Sequence, residues 1–187
     1  MPDANDDKWG HWEHSQTEPG HDLTIFSSRF DTFIHPVTKR PLRATILVTQ
    51  PWVEIVALTT DKQIVMVRQF RFGIRDVTLE TPAGLVDEGE EHYDAAVREL
   101  REETGYTTAD WKYLGHMHQN PASHTENVHM WLATDAEQTH APAFEEGEHI
   151  AVTTLSKDEA VAAVHSGDIL NPYTIVALSR VLDLRVV

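Results

Sequence analysis

GLVDEGEEHYDAAVRELREETGY, residues 84–106, is the stretch on which the fold turns. A glycine-containing turn, an amphipathic run and a closing glycine follow one another without interruption. Over residues 91–104, Ala95, Ala96, Val97 and Leu100 gather on one side while Arg98, Glu99, Arg101, Glu102 and Glu103 fill the rest. That is the period of a half-buried helix, and Gly105 is placed to end it. Glu99, Glu102 and Glu103 stand three and four positions apart and so share a face. Two carboxylates about 5 Å apart, at an effective dielectric of about 20, repel by roughly 3 kcal/mol, which exceeds what a helical ion pair returns. Solvent or a cation has to relieve this, and hard divalent ions such as Mg2+ take oxygen ligands of this kind. A solvated acidic face, with Arg98 and Arg101 dispersing the charge, is the plainer alternative.

Upstream of this helix, short apolar and β-branched runs, LTIFSSRF, RATILVTQ, VEIVALTT and QIVMVRQFRF, are separated by turn chemistry. Asp61 and Lys62 form a hairpin tip and residues 36–41 a longer one, so the first third is expected to be antiparallel. Downstream, WKYLGHMH and VHMWLAT read as strands around the polar QNPASHTEN, and an acidic loop precedes the strand IAVTTL. Ser156 with Glu159 makes a capping box for a helix over residues 157–164, closed near Gly167. Asn171 as N-cap and Pro172 at the first helical position open a buried C-terminal helix through TIVALSRVL.

Composition sets the outer bounds. The 187 residues suit one full-sized domain. Fifteen basic against thirty acidic residues leave a formal charge of −15, which disfavours nucleic-acid backbones and anionic lipid as partners. Phosphate handling by such a chain calls for metal. The absence of cysteine excludes disulfides and thiolate chemistry and suits a reducing cytoplasm. No apolar run approaches the roughly 20 residues of a membrane span. Residues 1–21 are polar and acidic and read as a flexible segment, unless Trp9 and Trp12 dock on a neighbouring surface. Residues 22–52 then form an N-terminal β segment and residues 53–187 the main domain with its C-terminal helices.

The register of glycines, arginine and carboxylates resembles the Nudix box, G-x5-E-x7-R-E-U-x-E-E-x-G-U, where U is aliphatic. Gly84, Glu90, Arg98, Glu99, Leu100, Glu102, Glu103 and Gly105 meet it without gap, and only Tyr106 departs, at a packing position. The resemblance implies an α+β fold, a mixed sheet sandwiched between helices, with an N-terminal antiparallel β segment used in dimerisation. It implies Glu99 and Glu103 as principal metal ligands, Glu102 supporting an ion, and the carbonyl of Ala83 joining them, with Mg2+ or alternatively Mn2+ as the ion. Arg98 is expected to hold Glu90 and orient the carboxylates.

VRQFRFG before the box, LETPAG leading into it and Pro121 beyond it resemble the branch that hydrolyses ADP-ribose and nucleotide sugars. In that branch an arginine at the place of Arg71 contacts the diphosphate or terminal ribose, and Glu80 lines the site. Either could equally be a strand-end or edge residue. The general base comes from a mobile acidic loop, here FEEGEH, which makes Glu146 the base, Glu145 the adjacent candidate and Glu148 an additional metal ligand. Trp52, Phe30 or Phe33 could stack on a base or support a homodimer interface, against the plainer reading of core aromatics. His116, His118, His124 and His129 raise a zinc reading that the absence of cysteine and of an HExxH helix weakens. Ser123 and His124 belong to no recognisable triad. The expected activity is cleavage of a nucleoside diphosphate sugar to a nucleoside monophosphate and a sugar phosphate. GDP-mannose, dinucleoside polyphosphates or a non-catalytic sensor role are the alternatives.

Overall fold

A computed structural model describes residues 10–144 and 149–185. The chain divides into two compact units, Met1–Gln50 with His118–Glu126, and Pro51–Met117 with Asn127–Val187.

In the first unit β1 (Glu13–Asp22), β2 (Ser27–Ile34) and β3 (Pro41–Val48) form an antiparallel sheet in that order. The β2–β3 turn is closed by the His35 ring, whose Nδ1 accepts the backbone N–H groups of Val37 and Thr38 at 3.1 and 3.2 Å. β1 is a departure from expectation, because a strand from Glu13 occupies the second part of what the composition suggested was a flexible segment. Polar cross-strand bonds hold it. Thr17 donates to the buried Asp31 at 2.8 Å, Arg29 donates to the same carboxylate at 3.1 Å, and Arg43 pairs with Glu18 at 3.1 Å. Gly20 lets β1 lie against β2 where a Cβ would meet the Ser28 hydroxyl at 2.4 Å. Residues 118–126 join this unit through Leu47, whose N–H donates to Ser123 and whose carbonyl accepts from Thr125.

The second unit is built on β4 (Trp52–Thr59), β5 (Ile64–Arg71), β6 (Asp76–Glu80), β7 (Ala83–Leu85), α1 (His92–Thr104), β8 (Tyr106–Thr107), β9 (Asp110–His118), β10 (Asn127–Gln138), β11 (Ile150–Leu155), α2 (Lys157–Ser166) and α3 (Pro172–Ser179). The main strand order is β11-β5-β4-β10-β8, with β6 beside β5, β7 beside β4 and β9 beside β10. β4 and β10 run parallel while β4 and β5 run antiparallel, so the sheet is mixed as expected. β4 is buried along nearly its whole length because both of its faces are covered. Val53, Ile55 and Ala57 pack with Ala95, Ala96 and Leu100 of α1. Val56 and Leu58 pack on the other side with Ala160, Ala177 and Leu178 of α2 and α3. Helix, sheet and helix thus form the expected layers.

The predicted capping box of α2 is present, with Ser156 accepting from Glu159 N–H and the Glu159 carboxylate accepting from Ser156 N–H. Asn171 caps α3, and Pro172 sits in its first turn. α3 stops at Ser179, short of the apolar run that continues to Leu182, because residues 180–182 leave the helix as a turn. β6, β7 and β8 were not anticipated, being short segments whose regularity comes from pairing with β5, β4 and β10.

Candidate active site

α1 begins after Glu91, which makes no side-chain cap, and ends at Gly105 with φ 75°, whose N–H returns to the Arg101 carbonyl at 2.8 Å. Its apolar stripe lies on the sheet, which turns the glutamate face toward the backbone of β7. There the Ala83 N–H donates to Glu103 Oε2 at 3.0 Å, and Glu103 is only 4% exposed. Gly84 has a stricter role. A Cβ there would stand 1.9 Å from the Glu99 carboxyl carbon and 2.0 and 2.4 Å from its oxygens, so only glycine lets that carboxylate lie against the β7 backbone.

Arg98 is the cation of this face. Its Nε and Nη2 clasp Glu90 at 3.0 and 2.9 Å, Nη2 also donates to the Leu85 carbonyl at 2.9 Å, and Nη1 donates to Glu99 at 2.6 Å and Glu102 at 3.4 Å. The hydrogen bond from Arg98 holds the Glu90 carboxyl below the usual carboxylate range, against a smaller opposing effect of burial. Repulsion among the helix carboxylates is therefore offset in part by arginine, and charge crowding alone does not demand a metal.

The donor chemistry still suits a hard cation, since the groups on offer are carboxylates laid over a backbone that a Cβ would obstruct. Among the described residues no cluster of three or more His, Cys, Asp or Glu side chains is arranged to hold an ion. A full coordination sphere would have to include carbonyl, water or substrate oxygens, or Glu148, which lies outside the described residues together with Glu145 and Glu146. The segment leading to them is anchored on the same helix, with Ala143 N–H donating to the Glu102 carbonyl at 2.8 Å.

Arg71, at the end of β5, is the ladder partner of Asp76, and its side chain reaches along the β5–β6 pair to Glu80, at the end of β6. Arg71 Nε and Nη2 donate to the two oxygens of Glu80 at 3.1 and 2.5 Å, and Thr78 donates to Glu80 at 2.5 Å. Burial pushes the Glu80 carboxyl up, but the bonds from Arg71, Thr78 and Asn171 and the Arg71 charge outweigh it and leave the pKa lowered. Arg71 is held more firmly protonated, chiefly by its bond to Glu80, with Glu103 and Glu54 adding favourable charge. The β5–β6 pair and the α1 face thus lie within electrostatic reach of each other.

Glu54 was not anticipated. It lies mid-strand in β4, 1% exposed, and its Oε1 accepts from the hydroxyls of Thr81 at 2.5 Å and Thr174 at 2.8 Å. Burial is the main influence on its carboxyl and raises the pKa to about 8 against those two hydrogen bonds. A lone acid inside the apolar run VEIVALTT was the available signal.

Trp52 is half-buried on β4, its ring edge-on to Tyr173 of α3 at 5.1 Å and 86°. Phe30 and Phe33 lie in the first unit, Phe30 under the Arg43 guanidinium at 3.7 Å and Phe33 beside the His14 ring at 5.5 Å. Trp12 packs on His35 at 5.0 Å, and Trp9 is outside the described residues. His129 stacks on His92 at 4.1 Å and 11°, with the Tyr113 hydroxyl 2.9 Å from its Nδ1. Burial, then His92 and His116, lowers the His129 pKa to about 4. Ser123 and His124 contact each other at 3.1 Å in the first unit.

Residues 49–173 match the family described as NUDIX domain. Over 127 residues the chain is 31% identical to the methanol dehydrogenase activator of Bacillus methanolicus, a match spanning 67% of this chain and 69% of that protein. It is 32% identical over 127 residues to the ADP-ribose pyrophosphatase of Bacillus subtilis (strain 168), with the same coverage of 67% and 69%. A solved structure, that of an ADP compounds hydrolase, shares the fold with a TM-score of 0.79 over 91% of each chain at 21% identity.

Proposed function

The chain belongs to the NUDIX family, and on that premise we propose that it hydrolyses the pyrophosphate bond of ADP-ribose or a related nucleoside diphosphate sugar. Water adds across one P–O–P bridge, giving a nucleoside monophosphate and a sugar phosphate. The observation that carries the proposal is the α1 carboxylate face laid against the Ala83 and Gly84 backbone, with a glycine where any side chain would displace Glu99.

In this reading Glu99, Glu103 and the Ala83 carbonyl hold a divalent cation, Mg2+ with Mn2+ able to replace it, and Glu102 supports it. Such an ion, when bound, neutralises the diphosphate and makes a water acidic enough to attack phosphorus. Arg98 keeps the carboxylates in place through Glu90 and its own contacts to Glu99 and Glu102. Arg71 offers its guanidinium to the diphosphate or ribose, with Glu80 fixing its direction by the two-point contact. Trp52 stacks on the base of the substrate. Glu146, with Glu145 as its neighbour, takes the proton from the attacking water, and Glu148 adds a ligand. The anchoring of Ala143 on Glu102 supports drawing these from the loop.

Further parts of the proposal are that residues 53–187 carry the activity, that the N-terminal β segment serves a homodimer, and that the protein works in the cytoplasm without nucleic acid or membrane as partner. The cysteine-free composition and the charge of −15 support the last point. Among the described residues no helix is long and apolar enough to cross a membrane.

The test is a panel of ADP-ribose, GDP-mannose, other nucleotide sugars and dinucleoside polyphosphates, assayed with Mg2+ for release of phosphate monoesters. AMP and ribose 5-phosphate from ADP-ribose are the expected products. Binding without cleavage under any divalent ion would favour a sensor instead.

A further inference from the structure

A carboxyl group in the middle of a strand buried on both faces has to be explained. Along β4 the positions on the same face as Glu54, Val56 and Leu58, are core apolar residues packed on α2 and α3. A leucine or methionine at position 54 would suit those surroundings without the desolvation that a carboxyl suffers. Glu54 is instead the centre of a closed polar cluster. Its Oε1 accepts from Thr81 and Thr174, the Thr81 hydroxyl and Thr174 hydroxyl are 3.2 Å apart, and the Thr81 N–H donates to the Thr174 hydroxyl at 3.2 Å. Thr81 is 1% exposed and Thr174 is fully buried.

What this cluster joins is more telling than the cluster itself. Thr81 follows Glu80, which is clasped by Arg71, and precedes by two residues Ala83, whose N–H holds Glu103. Glu54 is also the strand partner of Ala83 in the β4–β7 ladder. Thr174 stands in the first turn of α3, whose N-cap Asn171 bonds Glu80. One carboxyl therefore ties to β4 and α3 the short segment, residues 80–83, on which both halves of the active site are mounted.

We propose that Glu54 is a positioning residue: by bonding Thr81 and Thr174 it sets where Glu80 and the Ala83 backbone stand relative to the carboxylates of α1. The proposal rests on the activity inferred above.

The experiment compares E54M, E54Q and T174V with wild type in ADP-ribose turnover at saturating Mg2+, in Mn2+ binding followed by electron paramagnetic resonance, and in thermal melting. E54M should lower kcat at least tenfold with KM for ADP-ribose changed less than threefold, and should weaken Mn2+ binding at least fivefold. E54Q keeps the accepting oxygen and should recover kcat to within about threefold of wild type. Folded E54M with kcat and Mn2+ affinity within twofold of wild type overturns the proposal, as does E54Q as impaired as E54M. Should E54M fail to fold, T174V decides, with a threefold or greater fall in kcat expected and an unchanged kcat contradicting it. If wild type cleaves none of the nucleotide sugars, the functional reading falls while Mn2+ binding by the variants still judges the role of Glu54.

Discussion

Glu54 of β4 and Glu80 of β6 are buried carboxyls, on two strands that both pair with β5, whose surroundings drive them in opposite directions. Glu80 has a guanidinium on it and is held ionised, whereas Glu54 has only hydroxyls and is pushed up to about 8. Opposite consequences for stability follow. The stabilising effect of Glu80 is present above the ordinary carboxyl pKa of 4.5 and is lost as pH falls through its lowered folded-state value. R71M leaves Glu80 buried without its cation, so the variant should lose about 3 kcal/mol at pH 7. Denaturant melts should show that deficit shrinking as pH is lowered toward 4. For Glu54 the folded form holds its proton more tightly than the unfolded chain. Its contribution is full below about 4.5 and is lost as pH rises toward 8, amounting to about 3 kcal/mol by pH 7. E54Q does not titrate, so its stability relative to wild type should grow between pH 4.5 and 8, and a constant difference would contradict the assignment. The carboxylates of α1 were legible because helical spacing alone puts them on one face. Glu54 was not, because its partners Thr81 and Thr174 lie 27 and 120 residues away and only the assembled sheet brings them in.

Elements with signals of their own were the ones that could be read from the chain. α1 shows an apolar stripe and a closing glycine, α2 a capping box, and α3 an Asn-Pro start, and all three stand close to where those signals put them. β1, β6, β7 and β8 have no such signal. β1 is polar and is held by Thr17, Asp31 and Arg43 contacts, and the other three borrow their regularity from stronger neighbours. The caps can be weighed directly. S156A removes the acceptor for Glu159 N–H and should cost about 1 kcal/mol. G105A faces both a left-handed backbone at φ 75° and the His140 carbonyl oxygen 2.1 Å from the new Cβ, so it should cost about 2 kcal/mol or more. Urea unfolding of the two variants should preserve that order.

At the scale of the whole molecule, a charge of −15 and a substrate that is itself an anion are reconciled only if cations gather at the site. In the proposed reading Arg98 and Arg71 supply fixed ones, and the α1 face offers oxygen to a divalent one. The layered fold was legible from alternating strand runs and three marked helices, whereas the return of residues 118–126 to the N-terminal sheet was not, because it runs through a bridge at Leu47 that spacing cannot reveal. The loop glutamates are legible only by resemblance, since an acidic loop has no period to betray its role. The most direct measurement is the rate of AMP formation from ADP-ribose at saturating Mg2+ by E103Q and wild type, with melting curves for both. The expected result is a fall of about a thousandfold in rate with the melting temperature kept within a few degrees. E103Q turning over within tenfold of wild type would contradict a divalent cation held by α1.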